Sequence, residues 1–256
     1  MRLLAGTSGF AFKEWKGSFY PADLKDDGWL GFYASKFAAV EINNTFYRLP
    51  KEKVLLDWAA QVPEHFTFAI KASQRITHFA RLKPESASAV EFLLRNTAVL
   101  GSRLGPILFQ LPPNLQKDID RLRGFLARLP ATGRYTVEFR HESWFDEDVF
   151  DALRERDVAM CIAEQEDFRC PAQPTASWGY LRLHRLDYSE AMLTEWSRYV
   201  AGQRWTEAYI FFKHDESATS GSGPTAVEAF ARLCPAGGPA TLPAPPTRPG
   251  SLSPIA

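Results

Sequence analysis

The sequence predicts an α/β protein, a single (β/α)8 TIM-like barrel with one helix short or missing after strand six. Three observations carry that expectation. Short runs rich in Val, Ile, Leu, Phe and Tyr recur along the chain at strand-like length. Segments with helical spacing lie between most of them, the alternation that builds a parallel sheet. Eight strands in about 230 residues leave about 29 residues per unit, which suits a barrel with short loops better than an open sheet.

Taken in order, a first strand is expected over 2–7, and the helix over 29–38 places Trp29, Phe32, Tyr33 and Phe37 on one face. Strand two (39–45) leads to a helix over 54–60, strand three (66–72) to 85–100, strand four (105–110) to 119–129, and strand five (135–140) to 147–156. Strand six (158–163) is followed by 164–178, which holds Pro171 and Pro174 and shows no helical period, so its helix is short or absent. Strand seven (179–184), a helix over 190–200, strand eight (208–213) and a helix over 226–233 complete the set. Residues 1–234 are thus read as one domain. Residues 235–256 are rich in Pro, Ala and Gly, hold no aromatic and one charge, Arg248, and are expected to be a disordered tail.

Thirty basic and thirty acidic residues cancel in this chain of 256. Neutrality argues against a generally basic nucleic-acid binder, though not against a local basic groove. A hydrophobic content of 45% with seven Trp and nineteen Phe excludes global disorder. No apolar run approaches the about 20 residues of a membrane helix. The apolar stretch at 1–7 is too short for a secretory signal. Cys161, Cys170 and Cys234 form no CxxC pair, as expected of reduced thiols in a cytoplasmic protein.

Barrel strands alternate side chains between the lumen and the helix layer. In strand two, Glu41, Asn43 and Thr45 oppose Val40 and Ile42; in strand five, Thr136, Glu138 and Arg140 oppose Val137 and Phe139. In strand seven, Tyr180, Arg182 and His184 oppose Leu181 and Leu183; in strand three, Lys71 shares a face with Ala69 and Thr67. The apolar sets suit the helix layer, so the lumen candidates are Thr7, Glu41, Asn43, Lys71, Gln110, Glu138, Arg140, Arg182 and His184. Most stand toward strand C-termini, where active sites of this fold sit. Two explanations stay open: a structural ion-pair network, or a site whose three cations against two acids suit an anionic ligand.

Gly221, Ser222 and Gly223 precede a helix after strand eight, a place where free amides bind phosphate; an ordinary loop is the alternative. His141, His184 and His214 each follow a strand, and with Glu164 and Asp215 they leave a divalent metal possible, although no metal-ligand spacing calls for one. No other cofactor is predicted. Trp15, Phe19, Tyr20, Phe46, Tyr47 and Trp144 fall in loops after strands; they stack a ligand or pack as a roof.

Seven ordered motifs carry a family resemblance: Gly6-Thr7-Ser8-Gly9-Phe10 with Trp15-Lys16-Gly17 and Phe19-Tyr20-Pro21; Glu41-Ile42-Asn43-Asn44-Thr45-Phe46-Tyr47; Phe68-Ala69-Ile70-Lys71-Ala72; Ile76-Thr77-His78; Leu108-Phe109-Gln110-Leu111-Pro112-Pro113; Val137-Glu138-Phe139-Arg140-His141 with Ser143-Trp144; and Tyr180-Leu181-Arg182-Leu183-His184. Together they closely resemble the YecE-like family, also called domain of unknown function 72, from about residue 3 to about residue 233. The resemblance implies a TIM-like barrel and supplies no activity. Its motifs coincide with the lumen candidates and add Thr77 and His78. Asn44 stands where Ser is more usual, and Arg185 where Gly is expected.

Three function classes follow. The first is an enzyme (hydrolase, lyase or isomerase) on a small phosphorylated or carboxylated metabolite. Lys71, Arg140 and Arg182 hold the anion, helped by Asn43, Gln110, Trp15 and Tyr20; Glu41 or Glu138 is the general base and His184 or His78 the general acid. The second is metal-assisted phosphoester chemistry on nucleic acid or nucleotides, against which overall neutrality counts. The third is a non-catalytic scaffold with a sealed polar core, which predicts no ligand-sized cavity at the strand C-termini.

Overall fold

A computed structural model describes residues 1–213 and 221–234. The expected tail at 235–256, and His214, Asp215 and Ser220, lie outside the described residues. Strands and helices alternate as β1 (Arg2–Thr7), α1 (Trp29–Lys36), β2 (Ala39–Ile42), α2 (Glu52–Gln61), β3 (Thr67–Lys71), α3 (Ala87–Thr97), β4 (Leu104–Gln110), α4 (Ile119–Ala127), β5 (Tyr135–Glu138), α5 (Glu147–Arg154), β6 (Ala159–Met160), β7 (Ile162–Glu164), β8 (Gly179–Leu183), α6 (Glu190–Ala201), β9 (Glu207–Phe212) and α7 (Gly223–Leu233).

The fold is α/β, and among the described residues the paired strands run parallel. Where the sequence predicts one closed ring, hydrogen bonding divides the strands into two sheets, β1-β9-β8-β7 and β2-β3-β4-β5-β6. The sheets meet at two places. The expected sixth strand is split at Cys161: β6 pairs with β5, β7 with β8, and the Cys161 amide still donates to Val137 O at 2.8 Å. At the other junction a parallel bridge joins Ser8, just past β1, to Glu41 of β2.

The outward face of the strands packs against the helices. Phe68 stacks on Trp58 of α2, Phe109 meets Phe125 of α4 edge-on at 5.0 Å, and Phe212 lies 5.7 Å from Phe230 of α7. Residues 165–178 hold no helix. Their backbone is tied locally instead: Thr175 Oγ1 accepts from the Met160 amide and donates to Val158 O, and the Cys170 amide donates to Ala163 O. Pro171 and Pro174 lack the amides a helix would need.

Gly6 sets the phase at the end of β1. A Cβ there would overlap the Ala39 carbonyl, so only glycine lets the two chains approach this closely. Thr7, expected in the lumen, turns instead to the helix layer, where its Oγ1 lies 2.9 Å from the Tyr33 hydroxyl of α1. Ser8 takes the inner side.

Candidate functional site

The C-terminal ends of β2, β5 and β8 place Glu41, Glu138 and Arg182 together. All three are buried, which is costly for charges unless they are paired and hydrogen-bonded. Arg182 pairs both carboxylates: Nε reaches Glu41 Oε2 at 3.0 Å, Nη2 reaches Glu41 Oε1 at 3.1 Å, and Nη1 reaches Glu138 Oε2 at 2.5 Å. Glu41 also accepts from Tyr180 OH at 2.6 Å, Ser8 Oγ at 2.7 Å and Asn43 Nδ2 at 3.0 Å. Glu138 accepts from Gln110 Nε2 at 2.9 Å and Arg140 Nε at 3.0 Å. Burial alone would raise both carboxyl pKa values. The Arg182 guanidinium, with Arg140 and the Gln110 amide, overrides it at Glu138 and brings that group to about 2. At Glu41, burial is likewise outweighed by Arg182 and the donors Tyr180 and Ser8, so the pKa falls below the usual carboxylate range.

Beside this network opens a cavity of about 710 Å³, within the range of small-ligand sites. Phe10, Phe12, Ile42, Tyr47 and Trp58 line one part, and Ser8, Asn43, Lys71, Arg182, His184 and Lys213 the other. Lys71 ends β3 with its Nζ 4.4 Å from the Phe46 ring centroid. Burial, then the Arg182 charge, push its pKa down to about 8 against the pull of Glu138 and Glu41. His184 Nε2 lies 2.8 Å from Ser8 Oγ. Ionised Glu41 only accepts hydrogen bonds, so the Ser8 hydroxyl gives its proton to Oε1 and receives one from His184 Nε2. His184 is therefore the Nε2–H tautomer with its lone pair on Nδ1. Burial, then Arg182, hold its pKa well below the usual range, so it is neutral at pH 7.

The family model described as a protein of unknown function, DUF72, matches residues 4–249. The chain belongs to the DUF72 family. The UPF0759 protein YecE of Escherichia coli strain K12 is 38% identical over 114 residues, 44% of this chain and 42% of that protein. YunF of Bacillus subtilis strain 168, also a UPF0759 protein, is 30% identical over 139 residues, 50% of this chain and 48% of that protein. The matched segments thus span less than half the length of these relatives. A DUF72 family protein from Thermotoga maritima MSB8 superposes with a TM-score of 0.72 at 24% identity, covering 90% of this chain and 97% of its own. One from Enterococcus faecalis V583 has a TM-score of 0.68 at 17% identity, covering 91% and 96%. At those identities the likeness is one of fold.

The DUF72 chain brings most of its sequence-predicted residues to one place, in altered roles. Glu41 and Glu138 are engaged by several donors each, and Gln110 and Arg140 serve Glu138 rather than the cavity. His78, on the turn of π-helix Arg75–Phe79, packs its ring 4.8 Å from Phe46 and meets Thr77 Oγ1 at 2.9 Å. It does not line the cavity. Burial, then Lys71, lower its pKa, so it is a poor proton donor at neutral pH.

Trp15 and Tyr20 are corrections. Both are fully buried in an aromatic cluster, Tyr20 stacking on Trp29 at 5.1 Å and donating to Phe10 O at 2.5 Å. Phe19 meets Trp15 edge-on, and Trp29 and Phe32 cover Tyr20, so these two rings pack as core. The phosphate expectation is corrected too. The Gly221 amide donates to the Asp187 carboxylate at 2.9 Å and the Gly223 amide to Lys213 O at 2.9 Å, so two amides are satisfied and a carboxylate stands where an anion would sit.

Among the described residues no group of three or more His, Cys, Asp or Glu side chains comes together to hold a metal. Glu164 accepts from Trp196 Nε1 and His141 Nδ1 meets Ser143 Oγ. No helix of the described residues is long and apolar enough to cross a membrane.

Sequence reasoning missed Ser8, Trp58 and Lys213 as lining residues and Tyr180 as a partner of Glu41. The signals were there for two of them. Tyr180 shares its strand face with Arg182, and Ser8 follows Gly6 by two.

Proposed function

We propose that this DUF72 chain is an enzyme acting by acid/base chemistry on a small phosphorylated or carboxylated substrate, held at the strand C-termini of a TIM-like barrel. One observation carries the reading. The cavity is lined by Lys71, Arg182 and Lys213 and by no carboxylate among the described residues. The Arg182 fork is held by Glu41 and Glu138, so the ammonium groups of Lys71 and Lys213 are the ones that match carboxylate or phosphate, and the wall of Phe10, Phe12 and Trp58 suits a carbon skeleton. Glu41 and Glu138 are positioning residues in this reading, since Glu41 is saturated with donors and Glu138 is held by Gln110, Arg140 and Arg182. Neutral His184 serves as base through Nδ1, not as acid, and Ser8 orients it. The ligand-sized cavity speaks against a sealed polar core. The shared strand at Cys161 and the Ser8–Glu41 bridge support the barrel reading. Three free cysteines support a cytoplasmic location.

The test is thermal unfolding against phosphorylated sugars, nucleotides and small carboxylates. A ligand at 100 times its Kd should stabilise by about 2.7 kcal/mol. The shift should appear with one anion class and vanish in Lys213→Ala. No shift from any anion, or an undiminished shift in Lys213→Ala, would reject the reading. Turnover of the stabilising ligand then separates an enzyme from a binding protein.

A further inference from the structure

We infer that Lys71 is an amine nucleophile, condensing with the carbonyl carbon of a small anionic aldehyde or ketone bound in the cavity. The inference rests on the anion-cavity reading and adds the substrate's reacting group.

The charges at the strand ends are unequal in their surroundings. Glu41, Glu138, Arg140 and Arg182 neutralise one another in a closed set of ion pairs. Lys71 stands outside that set. Among the described residues its Nζ has no hydrogen-bond or ion-pair partner, and it faces the Phe46 ring while lining the cavity. Glu138 and Glu41 favour its ammonium form, but neither pairs with it, and burial outweighs them. Here the neighbouring charge that matters most is the Arg182 guanidinium, which disfavours a second cation. Desolvation together with a like charge is the arrangement that makes a lysine amine reactive near neutral pH. With its pKa near 8, about a tenth of Lys71 is free amine at pH 7, against far less than a hundredth for an ordinary lysine.

The step balances without a further reagent. The Nζ lone pair forms the N–C bond while the carbonyl π pair moves to oxygen. The two Nζ protons leave with that oxygen as water, giving an imine. Protonated, the imine withdraws electrons from the adjacent carbon. Lys213 takes the anionic group, and Phe10, Phe12 and Trp58 offer a wall for the carbon skeleton.

The whole chain is incubated with glyoxylate or with glycolaldehyde phosphate, reduced with cyanoborohydride, and mapped by peptide mass spectrometry. Lys71 should carry the reduced adduct at least roughly tenfold more than exposed Lys51 at pH 7, with labelling half-maximal near pH 8. The faster of the two aldehydes names carboxylate or phosphate as the anionic group. Lys71→Arg keeps the charge and should lose the adduct. An unlabelled Lys71 beside labelled surface lysines overturns the inference. Glycolate and phosphoglycolate, which lack an aldehyde or ketone group, separate the two readings by thermal shift. If they bind while Lys71 stays unlabelled, the imine fails and the anion cavity stands. If acetaldehyde labels Lys71 as fast as the anionic aldehydes, the nucleophile stands and the anion reading fails.

Discussion

Replacing Arg182 with methionine should lower the unfolding free energy by about 3–5 kcal/mol at pH 7, because it leaves two buried carboxylates without their shared cation. For a chain of this size that is a fall of roughly 10 °C in Tm. The pH dependence carries the diagnosis. In the native protein Glu138 has a pKa of about 2 against an ordinary 4.5. A depressed carboxyl pKa stabilises fully above about pH 4.5, and the contribution, roughly 3 kcal/mol, is lost as pH falls through 2. Without Arg182 the stranded carboxyls titrate higher and become neutral in mild acid. The gap between wild type and Arg182→Met should therefore narrow from pH 7 to pH 4 in urea titrations. Adding Glu41→Gln and Glu138→Gln to Arg182→Met should recover most of the loss. A gap under about 1 kcal/mol at pH 7, or one that widens in acid, would show that the network does not hold the strand ends together.

The second large effect has the opposite sign. Lys71→Met should stabilise the fold at pH 7 by about 2–3 kcal/mol. Folding lowers the Lys71 pKa from 10.5 to about 8, chiefly by burial. A group whose pKa falls on folding costs stability below the folded value. The cost shrinks as pH rises and is gone above the unfolded pKa. The advantage of Lys71→Met should therefore be full at pH 7 and near zero at pH 10.5, as measured by chemical denaturation. The same variant should lose the ligand-induced thermal shift. Stability surrendered to keep a charged group in an apolar-walled cavity is the pattern expected of a functional residue. If Lys71→Met is less stable than wild type at pH 7, the ammonium belongs to the fold rather than to a ligand.

The candidate site was legible in its membership and not in its roles. Period-two alternation in three strands put Glu41, Glu138 and Arg182 on one face, and parallel pairing of consecutive units brought their ends to one side. Nothing local could say that Glu41 is saturated. Its donors Ser8, Tyr180 and Arg182 come from 33, 139 and 141 residues away. The same blindness to distant neighbours explains Trp15 and Tyr20. Aromatics in a loop read as ligand platform or packing until the partner ring, Trp29, is located. At Gly221 an anion-binding turn could not be told from a turn already capped by Asp187, 34 residues earlier.

What the sequence by itself determined was the family, the alternation of strands and helices, the missing helix after the sixth strand, and the identity of the charged groups at the strand ends. Those properties reside in spacing and side-chain type along a few residues. Tertiary structure alone decided that pairing breaks into two sheets at Cys161, that Thr7 turns outward and Ser8 inward, and that Lys71 stands apart from a set of charges that neutralise one another. These are decided by neighbours. A buried group's protonation and availability depend on the charges and donors within a few ångströms, and the chain brings those from its whole length.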